Sequence, residues 1–250
     1  MKKLTAEQLL ANWDEFIGYI DTYITGDRKD KLKKFYEDRQ DRLLTMPASA
    51  VEHYHSAFPG GYIEHVNRVI RMSIDVTEMW SKHGSPLDCT MEEIIFVAIN
   101  HDLGKYGSDE EPYYVPNPSD WHRVNQGKIY EYGNDLSKMP VPDRSIFLLV
   151  NNDVKISENE YIGIQTHDGM YDEANKAYLI TFGWTQKPKS SLCYIVHQAD
   201  MMAARIEFEE WRDNYRDDAP PKKTTKTKTV SKASNPISKG AFDDIFKTTE

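Results

Sequence analysis

Histidine and aspartate residues concentrate in four short segments of the chain. These segments are HSAFPGGYIEH at 55–65, NHDLGKYG at 100–107, QTHDGMY at 165–171 and HQADMMAARIE at 197–207. Imidazole nitrogens and carboxylate oxygens together suit borderline divalent ions such as Mn, Fe, Co, Ni and Zn. The chain has only two cysteines, which are too few for a site built from thiolates. The sequence therefore predicts a metal site of mixed histidine and carboxylate ligands.

The adjacent pair His101 and Asp102 has a meaning only at the end of a helix. The apolar stretch 91–100 predicts a buried helix that ends near Gly104. Consecutive residues of a helix project about 100° apart, so the pair cannot share one face in mid-helix. At a helix end the chain leaves the helical path, and both side chains can turn toward one ion.

Two further helices are expected to complete the site. An amphipathic helix is predicted over 62–80, with His65 in its first turn, and a long helix is predicted over 190–215, with Asp200 in its first half. Three helices then supply two imidazoles and two carboxylates. A set of this size leaves positions for water and substrate, as catalytic metal sites do.

These residues and their flanks resemble the HD superfamily of metal-dependent phosphohydrolases. The matching segments are PGGYIEH, which ends at His65, INHDLGK, which holds His101, Asp102 and Lys105, and QAD, which ends at Asp200. The resemblance implies that the two histidines and the two aspartates bind a divalent metal, with Mn, Co, Ni, Fe, Zn and Mg as candidates. It also implies hydrolysis of phosphate esters, usually of nucleotides or nucleic acid.

The resemblance covers roughly residues 50–210 and implies an all-α fold. The segments HSAFPGG and THDG look like branches of the superfamily that carry extra histidines, including the 3′-to-5′ exoribonuclease and HD-GYP types. By that comparison His122 and His167 are candidates for a second metal or for substrate contact. Asp168 stands where the partner histidine of His167 is expected, however, and no Gly-Tyr-Pro motif occurs. The number of metals therefore stays open.

A mechanism follows from charge. A bound divalent ion polarises a phosphoryl oxygen and lowers the pKa of a bound water for attack at phosphorus. Asp102 is expected to orient or deprotonate that water. Lys105, three residues later, is expected to pair with phosphate oxygens as charge accumulates.

Candidate substrate-binding residues lie in two places. Trp121, Arg123 and Lys128 belong to the segment SDWHRVNQGK, which mixes a stacking surface with cations that pair with phosphate. Arg68 lies one turn after His65 and could also reach phosphate. The alternatives are that the aromatic residues pack their own loop down and that Arg68 pairs with an acid.

The elements predict a single all-α domain over residues 1–216, built as a helical bundle. Residues 1–46 are expected to form an antiparallel helix pair, and 106–121 an irregular surface loop with three prolines. Two more helices are predicted over 142–152 and 157–167. The stretch 171–188 is irregular and is the place where a small hairpin is expected.

Charge separates this body from the end of the chain. The formal net charge is −9, but residues 221–250 carry seven lysines against three acids, which leaves 24 basic and 37 acidic residues in 1–220. Residues 217–250 are poor in apolar side chains and predict a disordered Lys/Thr/Ser-rich tail. Through it the chain could contact nucleic acid. The peptide at 240–247 could bind a protein partner.

Composition excludes a membrane protein, because no run of 18 apolar residues occurs. The first residues do not have the pattern of a signal peptide, so the expected location is the cytoplasm. The leading functional hypothesis is a (deoxy)nucleoside 5′-monophosphatase or a related nucleotide phosphohydrolase. Two alternatives stay open: a 3′-to-5′ exonuclease on single-stranded nucleic acid, and a non-catalytic binding protein with the HD fold.

Overall fold

The computed structural model describes residues 2–183 and 185–215. Over these ranges the chain is mostly helical with one small antiparallel hairpin, which confirms the predicted fold class. The predicted tail and its peptide lie outside the described residues. The α-helices of the described part are α1 (Ala6–Tyr23), α2 (Gly26–Glu37), α3 (Gln40–Leu43), α4 (Gly61–Lys82), α5 (Met91–Asn100), α6 (Asp120–Gln126), α7 (Val141–Asn151), α8 (Glu158–Thr166), α9 (Lys176–Leu179) and α10 (Leu192–Asn214).

Helix α5 is the centre of the core. A capping box starts it: the Thr90 hydroxyl accepts a hydrogen bond from the Glu93 amide, and the Glu93 carboxylate accepts one from the Thr90 amide. Every residue from Ile94 to Asn100 is buried. Helices α1, α4, α8 and α10 pack around it. Because α5 ends inside the protein, the residues that follow it enter the interior.

Helices α4 and α10, of 22 and 23 residues, are the longest described helices, and they pack against each other. Apolar residues of α4 recur at helical spacing on its buried face, among them Val66, Val69 and Ile70. Helix α10, which faces α4, buries Ile195, Val196 and other small or apolar residues. The same contact brings polar residues of the two helices face to face near its middle. No helix of the described ranges has the length and apolar character needed to cross a bilayer.

The N-terminal pair forms with one difference from the expectation. Helix α1 has the expected capping box at Thr5 and packs on α2. The second helix was expected to run to about residue 44, but the chain breaks after Glu37 and resumes as the short α3. Arg39 lies at the break, and its guanidinium forms hydrogen bonds with both carboxylate oxygens of Asp109 at 2.8 Å. The turn therefore attaches the pair to the loop after α5.

The hairpin lies elsewhere than predicted. Strand β1 (Tyr114–Pro116) lies within the segment 106–121 that was expected to be a loop, and it pairs antiparallel with strand β2 (Tyr130–Tyr132), which lies beyond that segment. The rings of Tyr114 and Tyr132 stack with centroids 5.8 Å apart. The stretch 171–188 instead forms short helical turns and α9 as far as it is described. Its β-branched and aromatic residues favoured a strand, but a strand also needs a partner, which local composition does not specify.

Two glycines, Gly60 and Gly104, allow close packing of the chain beside residues that the sequence predicts as metal ligands. Gly60 has φ of 84° at the start of α4, a left-handed conformation that favours glycine. At Gly104 a Cβ atom would lie 2.1 Å from the carbonyl oxygen of Val141. Helix α7 therefore packs directly on the turn Leu103–Tyr106 that follows α5.

Candidate metal centre

The structure brings the four predicted metal ligands together. His65 Nε2 lies 3.2 Å from Asp200 Oδ1 and 3.8 Å from Asp102 Oδ2. His101 Nε2 lies 3.5 Å from Asp102 Oδ2 and 3.8 Å from Asp200 Oδ1. Ligands bound at about 2.1 Å in tetrahedral or octahedral geometry are roughly 3.0–3.4 Å apart. The four side chains are therefore close to the spacing that one divalent ion requires.

The two imidazoles favour a bound cation because one nitrogen of each has no hydrogen-bond partner among the described residues. His65 and His101 are completely buried, and the Nε2 atom of each has no hydrogen-bond partner among the described residues. An unpartnered polar atom in a protein interior costs free energy, and native structures rarely leave one without a reason. A divalent ion would satisfy both nitrogens at once. The donor set thus fits a metal, and we name these four residues the His/Asp centre.

Helix geometry explains how α5 supplies two ligands. His101 still has helical backbone angles, and its Nδ1 lies 2.8 Å from the Ala98 carbonyl oxygen. This contact makes Nδ1 the protonated nitrogen and leaves Nε2 with a free lone pair. Asp102 has φ of −103° and ψ of 9°, so the chain has left the α-helix there. The pair turns toward one point because the helix ends between them, as its sequence indicated.

A buried carboxylate orients His65 from behind. Glu207 Oε2 lies 3.0 Å from His65 Nδ1, which directs Nε2 toward the centre. Arg68 Nε lies 3.4 Å from Glu207, and the Arg68 guanidinium forms hydrogen bonds with Glu210 at 3.0 Å. Sequence reasoning missed Glu207, although it follows Asp200 by seven residues and so lies on the same face of α10.

His167 lies beside the His/Asp centre, whereas His122 does not. His167 Nε2 is 3.6 Å from Asp102 Oδ1, the carboxylate oxygen that faces away from His65 and His101. With Asp168 and Asp200 it forms a second group of ligand atoms close enough to hold an ion. His122 belongs to none of the possible ligand groups in the described ranges. Asp168 therefore offers a carboxylate to this second possible ligand group.

Lys105 and His55 close one side of the centre. The Lys105 ammonium donates a hydrogen bond to Asp102 Oδ2 at 2.6 Å, and its nitrogen lies 3.3 Å from His55 Nε2. The rings of His55 and His65 are 4.6 Å apart, and His55, His65 and Asp102 form a third possible ligand group. His55 was part of the histidine-rich segment but was not among the predicted site residues. Lys105 contributes a positive charge directly beside the proposed reaction centre.

Electrostatics in the metal-free centre favour protonated imidazoles. Burial lowers the pKa of His65, but the carboxylates of Glu207 and Asp200 outweigh burial and raise it to about 10. Burial likewise lowers the pKa of His167, and Asp168 with its neighbours raises it to about 10. In the metal-free protein, protons on these two imidazoles therefore supply the positive charge that a metal ion would supply among the carboxylates.

The aspartates and His55 shift in the opposite direction. Burial raises the pKa of Asp102, but Lys105 and His101 outweigh it and hold this pKa well below its usual range. For Asp200 burial again raises the pKa, and the protonated imidazole of nearby His65 leads the effects that lower it. Burial and the positive charge of Lys105 lower the pKa of His55 to about 3. Both aspartates are therefore ionised and available to a cation at neutral pH.

The predicted substrate residues lie apart from one another. Trp121 and Arg123 are on α6, where Trp121 is 59% exposed and Arg123 pairs with Asp120 of the same helix. Lys128 follows α6 and forms a backbone bridge with Val51. Arg68, engaged by the two glutamates, lines a cavity of about 420 Å³ on the far side of Glu207. No contact in the described chain joins these side chains to the His/Asp centre.

A different cavity adjoins the centre. It has a volume of about 460 Å³ and runs along one side of α10, so we call it the α10 cavity. Asp168 and Asp200 belong to its wall, which links it to the ligand groups. Its volume is within the range of small-molecule sites. The residues that line it are His53, Tyr54, His55, Asp168, Tyr171, His197, Asp200, Met201, Ala204, Arg205 and Phe208.

Comparison with known proteins adds no relative. No family model matches the chain, and neither a curated protein nor a solved structure matches it. The geometry alone therefore establishes a mostly helical protein with buried histidine and aspartate groups that could bind metal.

Proposed function

We propose that the protein is a divalent-metal-dependent phosphohydrolase of the HD type that acts on nucleotides, most simply as a (deoxy)nucleoside 5′-monophosphatase. One observation carries the proposal: His65, His101, Asp102 and Asp200 converge, and two buried imidazole nitrogens have no other partner. The same four residues stand in the sequence motifs that resemble the HD superfamily. The motif and the geometry agree on the same four residues.

Hydrolysis would break the bond between phosphorus and the ester oxygen and form a bond from phosphorus to a water oxygen. These four residues would hold a divalent ion, which would supply Lewis-acid chemistry: a lowered pKa of water and a polarised phosphoryl oxygen. Asp102 contributes mainly by orienting the attacking water, because its lowered pKa makes it a weak base. Lys105 holds a positive charge beside Asp102, where phosphate oxygens gain charge during the reaction.

The α10 cavity supports a small substrate. It begins at Asp168 and Asp200 and continues along apolar and aromatic side chains. A phosphate at the His/Asp centre and the remainder of one nucleotide in the cavity fit this arrangement. The acidic body of the chain disfavours extended contact with a polyanion, but it allows a single phosphate to bind at a cation.

Phosphate release from a substrate panel tests the proposal. The panel contains nucleoside mono-, di- and triphosphates, cyclic nucleotides and a labelled single-stranded oligonucleotide, each with added Mn²⁺ or Co²⁺ and each repeated with EDTA. Release from monophosphates that EDTA abolishes is the expected result. Shortening of the oligonucleotide without monophosphate turnover would favour the exonuclease. With metal content verified, no hydrolysis of any substrate would indicate a binding protein.

A further inference from the structure

The α10 cavity has the length and position to receive the part of the substrate beyond the phosphate. On α10 its wall uses Asp200, Met201, Ala204, Arg205 and Phe208, which share one face at helical spacing. From the first to the last of these residues the helix rises roughly 12 Å. A phosphate bound at the Asp200 end would therefore leave its sugar and base beside the later residues.

Aromatic rings form the wall that a base would contact. Tyr54, Tyr171 and Phe208 all line the cavity, and the first two are more than half exposed, at 55% and 71%. Tyr171 ends the turn Gly169–Tyr171, directly after His167 and Asp168. Every nucleobase offers a flat π face that can stack on such rings. The rings are thus open to a ligand and connected to the metal ligands by a few residues of chain.

Among the described residues, Arg205 is the one lysine or arginine of this cavity wall, and it forms no ion pair with them. Its guanidinium donates a hydrogen bond to the Tyr171 hydroxyl oxygen at 2.6 Å. The nearby carboxylates of α10, Glu209 and Glu210, pair with Arg212 and Arg68 instead. A guanidinium has donors only, and the Tyr171 hydroxyl, which already accepts from Arg205, keeps its own proton to donate. The pair is exposed and therefore offers donors to an acceptor on a ligand that enters the cavity.

We infer that the α10 cavity binds the base of a nucleoside monophosphate and that Arg205 selects bases with a carbonyl oxygen over bases with an exocyclic amine at the same position. This inference rests on the proposed function and adds its specificity. A carbonyl oxygen accepts from Arg205, as guanine O6 does in arginine contacts to DNA. An amine in that position presents donors to donors and leaves the guanidinium unpaired.

Two pairs of substrates differ in this exocyclic group and in the protonation of the ring nitrogen beside it. Inosine and adenosine 5′-monophosphates differ at purine position 6, and uridine and cytidine 5′-monophosphates differ at pyrimidine position 4. The measurement is kcat/KM for each in the presence of Mn²⁺ or Co²⁺. The carbonyl substrate of each pair is expected to be favoured by about tenfold, as for one good arginine contact to a base.

Variants then assign the preference to a side chain. Arg205→Met keeps the apolar length and removes the donors, so the ratio within each pair should fall to about one. Tyr171→Phe, which removes the hydroxyl, should give an intermediate ratio. The matched control is Arg212→Met, two turns later on the same helix and outside the cavity wall, where Arg212 pairs with Asp213 and Glu209. It should keep the wild-type ratio. A ratio does not depend on the folded fraction, so partial unfolding cannot imitate the effect.

Each outcome separates this inference from the function on which it rests. Equal rates within both pairs for the wild type would overturn the inference and leave the phosphatase intact. A strong preference that persists in Arg205→Met would overturn the role of Arg205. Hydrolysis of ribose 5-phosphate but of no nucleotide would show phosphatase chemistry with a cavity that rejects bases, and would overturn the inference. No phosphate release from any of these substrates, with metal content verified, would overturn both proposals.

Discussion

The His/Asp centre and the segment 119–128 both carry histidine, acidic and basic side chains, yet the structure treats them differently. In the centre, residues from three distant segments converge, His65, His101 and Asp102 are buried, and two imidazole nitrogens lack hydrogen-bond partners among the described residues. In the outer segment, the charges of Asp120 and Arg123 pair within one exposed helix turn. Burying unpaired polar groups is costly, whereas an exposed pair costs little and contributes little. Residue types capable of chemistry therefore indicate a functional site only where the fold brings them together in the interior at a cost in free energy.

The largest expected effect comes from the same substitution made in each region. Asp102→Asn removes a carboxylate from the centre and should lower kcat/KM for nucleoside monophosphates by about 10³-fold, because metal and water both lose a ligand group. Asp120→Asn in the outer segment should change kcat/KM less than about twofold. Comparable losses in both variants would remove the distinction between the two regions.

A second comparison concerns two glutamates of α10 that both contact Arg68. Glu207→Gln should weaken metal binding about 10- to 100-fold, because the charge that orients His65 is lost. Glu210→Gln, at the exposed end of the same network, should leave the metal Kd nearly unchanged. Isothermal titration of the metal-free proteins measures both. Equal affinities in the two variants would mean that Glu207 is only a structural partner of Arg68.

Because of the His/Asp centre, the free energy of unfolding should also depend on pH in opposite directions with and without bound metal. The pKa of His65 rises from 6.5 to about 10 on folding, and that of His167 does the same. Their contribution to the metal-free protein is complete below pH 6.5 and is lost as pH rises toward 10. His55, whose pKa is lowered, contributes fully above pH 6.5 and does not change this window.

A bound metal requires neutral imidazoles, so its affinity should rise with pH over the same interval. As the pH rises from 7 to 9, the denaturant midpoint should therefore fall in the presence of EDTA and rise in the presence of excess Mn²⁺. The groups that face His65 and must be included in any fit are His55, His101, Asp102, Asp200 and Glu207, and Glu207 in turn pairs with Arg68. Parallel pH curves in the two conditions would contradict the metal site.

The smallest effect is expected at Trp121. This ring is exposed and touches His122 of its own helix turn. Trp121→Ala should change the free energy of unfolding by about 0.5 kcal/mol or less, as surface substitutions usually do. It should also change KM for a nucleotide by less than about twofold. A clear rise in KM would return the outer segment to the substrate site.

Local sequence signals were sufficient for most of the helices and for identifying the four residues of the His/Asp centre. The apolar stretch of α5 and its abrupt end specified where His101 and Asp102 would lie, and capping residues fixed the starts of α1 and α8. These features depend on neighbours within a few residues. The four ligands were found because each also has a distinctive flank, such as the two glycines before His65.

Contacts between distant segments were not available from the sequence. The hairpin forms at 114–132 because β1 pairs with β2, whereas the strand-like residues after 171 pair with no strand in the described chain. Arg68 has the chemistry to bind phosphate, but Glu207 and Glu210 engage it from α10. Arg205 and Phe208 follow Asp200 by five and eight residues, yet only the packed structure gives that helix face a cavity.

Metal binding by the His/Asp centre is the central claim, and an equilibrium titration tests it directly. Mn²⁺, Co²⁺ and Zn²⁺ are titrated into metal-free wild-type protein, into His65→Ala/His101→Ala, and into the control His83→Ala/His122→Ala, with helicity checked by circular dichroism. The wild type and the control should bind at least one ion with the same Kd, and the first double variant should lose that binding. A wild type that binds no ion, or three proteins with equal affinities, would contradict the account.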